Sequence, residues 1–144
     1  MDARHEALAS DLHAACLRLL RRVRLADRAL GVTPARLSAL SVLVFGGTRR
    51  LTELAEAEQV SAPTMSRIVA GLEAAGLVER RTHPGDARAV ELRATPAGRR
   101  TVHRGRRLRV ERLAAQLGTL SHADLRRLER AVPILQRLCE GKEE

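Results

Sequence analysis

The chain opens on an apolar stripe at helical spacing. Leu8, Leu12, Ala15, Leu19, Val23, Ala26 and Leu30 fall three or four residues apart, which predicts a helix over residues 6–30 closed by Gly31. Arg18, Arg21, Arg24 and Arg28 lie off that stripe. About seven turns is long for a small protein and suits a helix that packs on a partner chain as well as its own. Thr33 and Pro34 then mark a second start, with Thr as N-cap and Pro in the first turn. Leu37, Leu40, Leu43 and Val44 are its inward positions, and Gly46-Gly47 its stop. Residues 50–52 read as a very short strand. Thr52 is expected to cap a third helix, TELAEAEQ, with Leu54 and Ala55 inward and Glu53 and Glu56 in the favourable N-terminal half.

The stretch VSAPTMSRIVAGLEAAGLVERR, residues 60–81, carries both ends of a helix. Ser61 can accept from a free N–H of the first turn, and Pro63 sits where its missing N–H costs no helix bond. Gly76 supplies the left-handed residue after the last turn. Met65, Ile68, Val69 and Leu72 form one apolar stripe, while Pro63, Arg67, Ala70 and Ala74 face away, flanked by Thr64 and Ser66. A face so short of bulk, polar at its N-terminal end, can enter a DNA groove. Taken alone, the stretch suits an ordinary surface helix equally well.

After Gly76 the period drops to two. Residues 77–82 read as a strand, His83-Pro84-Gly85-Asp86 as a turn, and residues 89–94 as a second strand with Val90 and Leu92 inward. Thr95-Pro96 repeats the helix start, and a long helix runs to about Leu117. Arg106 and Arg109 share a side with Val102, Leu113 and Leu117, so acids from another helix are the expected partners. Gly118 ends this helix and Ser121 caps the last, with Asp124 three residues on. Leu125, Leu128, Val132, Leu135 and Leu138 continue an apolar face, and Pro133 inside it predicts a kink.

Composition narrows the partners. With 144 residues, 44% of them hydrophobic, one domain with a core is expected. One Phe and no Trp or Tyr make that core aliphatic. The net charge is +9 and the isoelectric point near 11.4, which favours a polyanion. A bias toward arginine accounts for Lys142 being the lone lysine but not for the excess of positive charge. Residues 80–112 hold eleven arginines against Asp86, Glu91 and Glu111, a balance of +8, on the hairpin and the helix after it. The N-terminus shows no apolar leader, and the longest uncharged run, residues 37–48, is too short to span a bilayer. No membrane role and a reduced, cytoplasmic setting are expected. Cys16 and Cys139 make no ligand spacing, and His5, His13, His83, His103 and His122 are scattered, so neither metal nor cofactor is anticipated. No Ser, Cys and His pattern pairs a nucleophile with a base, so no enzyme is expected.

The order of elements, with LTELAEAEQVSAPTMSRIVAGLEAAGLVERR followed by PGDARAVELRATPAGRR, resembles the MarR family of winged helix-turn-helix regulators. The likeness is strong over residues 30–100 and positional in the flanking helices. It implies a mainly α fold with a small antiparallel β wing. Residues 32–95 would form the winged helix-turn-helix lobe, and residues 1–31 and 96–144 helical dimerisation segments, all within one domain. It further implies a homodimer on a palindromic operator in double-stranded DNA, most often as a repressor, with release by a small ligand allowed. Ser61, Pro63, Thr64, Ser66 and Arg67 would enter the major groove. Arg80, Arg81, Asp86 and Arg88 would form the wing site, Arg88 reaching the minor groove with Asp86 bracing it. Two alternatives stay open: a non-specific architectural DNA-binding protein, and a thiol-based redox sensor using Cys16. Relatives that sense peroxide hold such a cysteine with tyrosines, which this chain lacks. Cys16 lies at the edge of the apolar stripe and is expected to serve as a small buried hydrophobe.

Overall fold

Local capping sets most of the element boundaries. A computed structural model describes residues 2–83 and 85–140, the side chains of residues 83 and 87–89 excepted. Helix α1 spans Ala3–Arg24, a 3-10 segment follows over Leu25–Leu30, and α2 spans Pro34–Gly46. Then come β1 (Arg49–Arg50), α3 (Leu51–Ala57), α4 (Ala62–Ala74), β2 (Val78–His83), β3 (Asp86–Ala94), α5 (Pro96–Leu117) and α6 (His122–Cys139). The chain falls into two compact units, Met1–Arg109 and Val110–Glu144. Among the described residues no single helix is long and apolar enough to cross a membrane.

Three expectations need correcting. The first helix starts earlier, because Asp2 accepts from the Arg4 N–H at 3.1 Å, and its last turns tighten to 3-10. That tight segment is held from α5: Asp27 takes the Arg109 guanidinium, and Leu30 lies so near Gly105 that a Cβ there would come within 3.0 Å of it. Thr52 caps nothing. Pairing of Arg49 with Leu92 and Arg50 with Glu91 keeps the chain extended to Arg50, so the helix begins at Leu51, and Glu53 accepts from the Arg50 N–H at 2.8 Å. Val90 is 43% exposed: the hairpin outruns the helices it rests on, and the buried face ends at Leu92 and Ala94. Helix α6 runs on through Pro133.

The sheet is antiparallel in the order β1-β3-β2, with a register shift between Thr82 and His83. Its inner residues Val78, Leu92 and Ala94 meet Leu37, Ala39, Leu40 and Leu43 of α2, Leu54 and Ala55 of α3, and Met65, Val69 and Leu72 of α4. Val102 brings α5 into the same core. The approach of α5 is so close that a Cβ on Gly98 would collide with the Leu77 carbonyl oxygen, so glycine is needed there.

Candidate nucleic-acid interface

Helix α4 is fixed at both ends by its own sequence. Ser61 Oγ accepts from the Thr64 N–H at 3.3 Å and donates to Thr64 Oγ1 at 2.9 Å. At the other end Gly76 has φ +70°, its N–H bonds the Glu73 carbonyl, and the Leu77 N–H bonds the Leu72 carbonyl, each at 2.9 Å. This paired bonding, with Leu72 and Leu77 both buried, is the Schellman arrangement. The same device ends α3, where Gln59 N–H bonds Glu56 and Val60 N–H bonds Ala55, each at 3.0 Å. There a non-glycine residue, Gln59, sits at φ +55°. The turn between α3 and α4 is therefore tight and mildly strained.

With Met65, Val69 and Leu72 buried, the opposite face of α4 is forced outward. Pro63, Arg67, Ala70 and Ala74 are exposed, as is Ser61; Thr64 and Ser66 are half-buried on the flanks. Arg67 Nε reaches the Pro63 carbonyl at 3.5 Å, a long contact that a better acceptor would displace. The five residues expected to enter a groove thus share one end of one helix.

The hairpin residues are less uniform. Arg80 is bound to Glu73 of α4, Nε to Oε1 at 2.8 Å, and Arg81 to Glu79 at 2.9 Å. Both lie on β2 below the tip, where Arg80 braces the hairpin against the C-terminal half of α4. Asp86 opens β3 at the tip, paired in register with His83. The Arg88 side chain lies outside the described residues, so the pairing expected with Asp86 does too.

A clamp built on the Thr95 cap joins these parts. Thr95 Oγ1 accepts from the Gly98 N–H at 3.1 Å and donates to the Gly76 carbonyl at 2.7 Å. One hydroxyl thereby ties the end of α4 to the start of α5. The Thr-Pro pair signalled the cap; the second bond spans nineteen residues and has no local signature. Arg109 donates to Asp27 Oδ1 at 2.7 Å, while Arg106 is exposed. Cys16 is exposed within the chain rather than buried, and Cys139 is exposed as well.

A cavity of about 740 Å³ opens beside α1, the 3-10 segment and α2. Leu20, Val32 and Leu37 give it an apolar side, and Arg21, Arg24 and Arg28 a cationic one. No group of His, Cys, Asp and Glu among the described residues could hold a metal ion.

A model of the MarR family matches residues 30–89. An uncharacterised HTH-type transcriptional regulator of Mycobacterium bovis is 37% identical over 139 residues, 96% of this chain and 95% of that one. A MarR family protein from Bacillus stearothermophilus is 25% identical over 98% of this chain and 99% of its own, with a TM-score of 0.77. A mutant of Staphylococcus aureus MepR, solved bound to an oligodeoxyribonucleotide, shares the fold at 18% identity and a TM-score of 0.73, over 91% of this chain and 97% of that one.

Proposed function

The chain belongs to the MarR family of transcriptional regulators, and on that premise we propose that it is a repressor that binds a palindromic operator as a homodimer. The observation that carries the reading is the outward face of α4, exposed, short of bulk and headed by Ser61, Pro63 and Arg67, with Thr64 on its flank. A neighbour in fold binds an oligodeoxyribonucleotide, which supports DNA as the partner. Ser61, Pro63, Thr64, Ser66 and Arg67 meet base edges in the major groove, and Arg88 meets phosphate or a narrow minor groove. The helices of residues 1–31 and 96–144 join the two protomers. A small ligand in the cavity beside α1 and α2 would release the operator by changing the spacing of the two reading helices.

Selection of bound sequences from random duplex DNA tests this. One palindrome with half-sites roughly 10 base pairs apart is expected. Uniform recovery of all sequences would replace the reading with non-specific DNA packaging. On the selected operator, Arg67→Ala should cost about 1–3 kcal/mol and relax preference at one base pair per half-site.

A further inference from the structure

Arg36 stands in the first turn of α2, where its backbone N–H donates to Thr33 Oγ1 at 3.4 Å. Its side chain does not run out into water. The guanidinium lies on α4 at Gly71, so closely that a Cβ built there would collide with Cζ, Nη2 and Nε. Glycine is a poor residue for a helix interior. Gly71 has no positive φ to require it, and the atoms a Cβ would meet are those of Arg36. The missing side chain at position 71 makes a seat for this one cation.

The seat's location decides what the guanidinium can meet. Gly71 follows Arg67 by four residues and Thr64 by seven, so it continues their edge of α4. No ion pair joins Arg36 to a carboxylate among the described residues. A half-buried cation is thus held from a second element along the flank of the exposed α4 face.

We infer that Arg36 is a further DNA-contacting residue: seated on Gly71, its guanidinium binds a backbone phosphate beside the major groove that α4 enters. The inference rests on the reading of α4 as the groove helix. Phosphate rather than base is the target because the seat is on the flank, more than two turns from the Ser61 end that goes deepest. A planar guanidinium binds phosphate through two parallel hydrogen bonds. Such a contact fixes the depth and tilt of α4 and carries no sequence information.

Binding curves at several salt concentrations, on the selected operator and on its single-base variants, test this with thermal melts alongside. Arg36→Ala should weaken every duplex about tenfold and flatten the salt slope by roughly one unit. Arg36→Lys, which keeps the charge, should restore most of the slope. Gly71→Ala pushes the guanidinium off its seat while improving the helix. It should melt no lower than the parent yet bind all duplexes more weakly, and the double variant should lose no more than Arg36→Ala alone. An unchanged salt slope for Arg36→Ala, or parental affinity for Gly71→Ala, overturns the inference. Arg67→Ala separates the two levels. If it weakens binding while Arg36→Ala does not, the inference alone falls. If neither change affects any duplex, the reading of α4 falls and the inference with it.

Discussion

Leu40 in α2 and Leu135 in α6 look alike in the sequence, each one step of an apolar stripe. Leu40 is 0% exposed and Leu135 is 37% exposed. The contrast extends to whole regions. Every buried apolar residue among those described lies between Leu37 and Val102, whereas α1 and α6 bury none. Leu8 is 65% and Leu138 66% exposed. The middle of the chain closes its core with its own elements. The stripes on the end helices remain unfinished within one chain, as the proposed dimer requires. A stripe specifies a helix and one of its faces; it does not say whether the cover comes from the same chain.

Four measurements sharpen or break this contrast. Leu40→Ala should have the largest effect, about 2–5 kcal/mol lost from the stability of the core, read by denaturant unfolding. Leu135→Asp should leave that core alone and instead dissociate the proposed dimer. Burial of a leucine is worth about 1.5–3 kcal/mol per copy, so sedimentation should shift toward the monomer. If neither sedimentation nor melting moves, the α6 face covers nothing and the contrast loses its meaning. Gln59→Gly should stabilise the fold by about 1 kcal/mol, because glycine adopts φ +55° without the Cβ penalty. A lower melting temperature would show that the Gln59 side chain matters more than the strain.

The smallest effect belongs to α6. Ser121's hydroxyl first, then the Arg127 guanidinium, hold the Asp124 carboxyl below its ordinary value of 3.8. A carboxylate stabilised in the folded state supports the helix above that value, and the support fades as pH falls through the depressed one. Titration of Asp124 followed by carboxyl NMR should show a midpoint below 3.8, moving back toward it in Ser121→Ala. An unmoved midpoint would assign the shift to Arg127.

Much of the fold was legible because helix ends are local. Thr33, Ser61 and Ser121 each accept from a nearby backbone N–H, and Gly31, Gly47 and Gly76 each take the positive φ their positions required. The buried stripe of α4 followed from spacing, and with it the outward set of Ser61, Pro63 and Arg67. Failures fell where a distant partner decides. Thr52 looked like a cap, but strand pairing through Arg49 and Arg50 moved the helix start. Val90 matched the inward alternation and lies beyond the core's edge. Nor does spacing announce that Arg80, one of the wing residues, is bound to Glu73, seven residues back on another element.

What the sequence determined by itself is which segments are helix or strand, which face of each is apolar, and where the positive charge gathers. These depend on spacing and on bonds spanning three or four residues. Only the tertiary structure decided which apolar faces find cover within the chain, which arginines are spent on Asp27, Glu73 and Glu79, and that Arg36 rests on Gly71. Those outcomes depend on two elements arriving at the same place, and the spacing of residues along one element carries no record of the other.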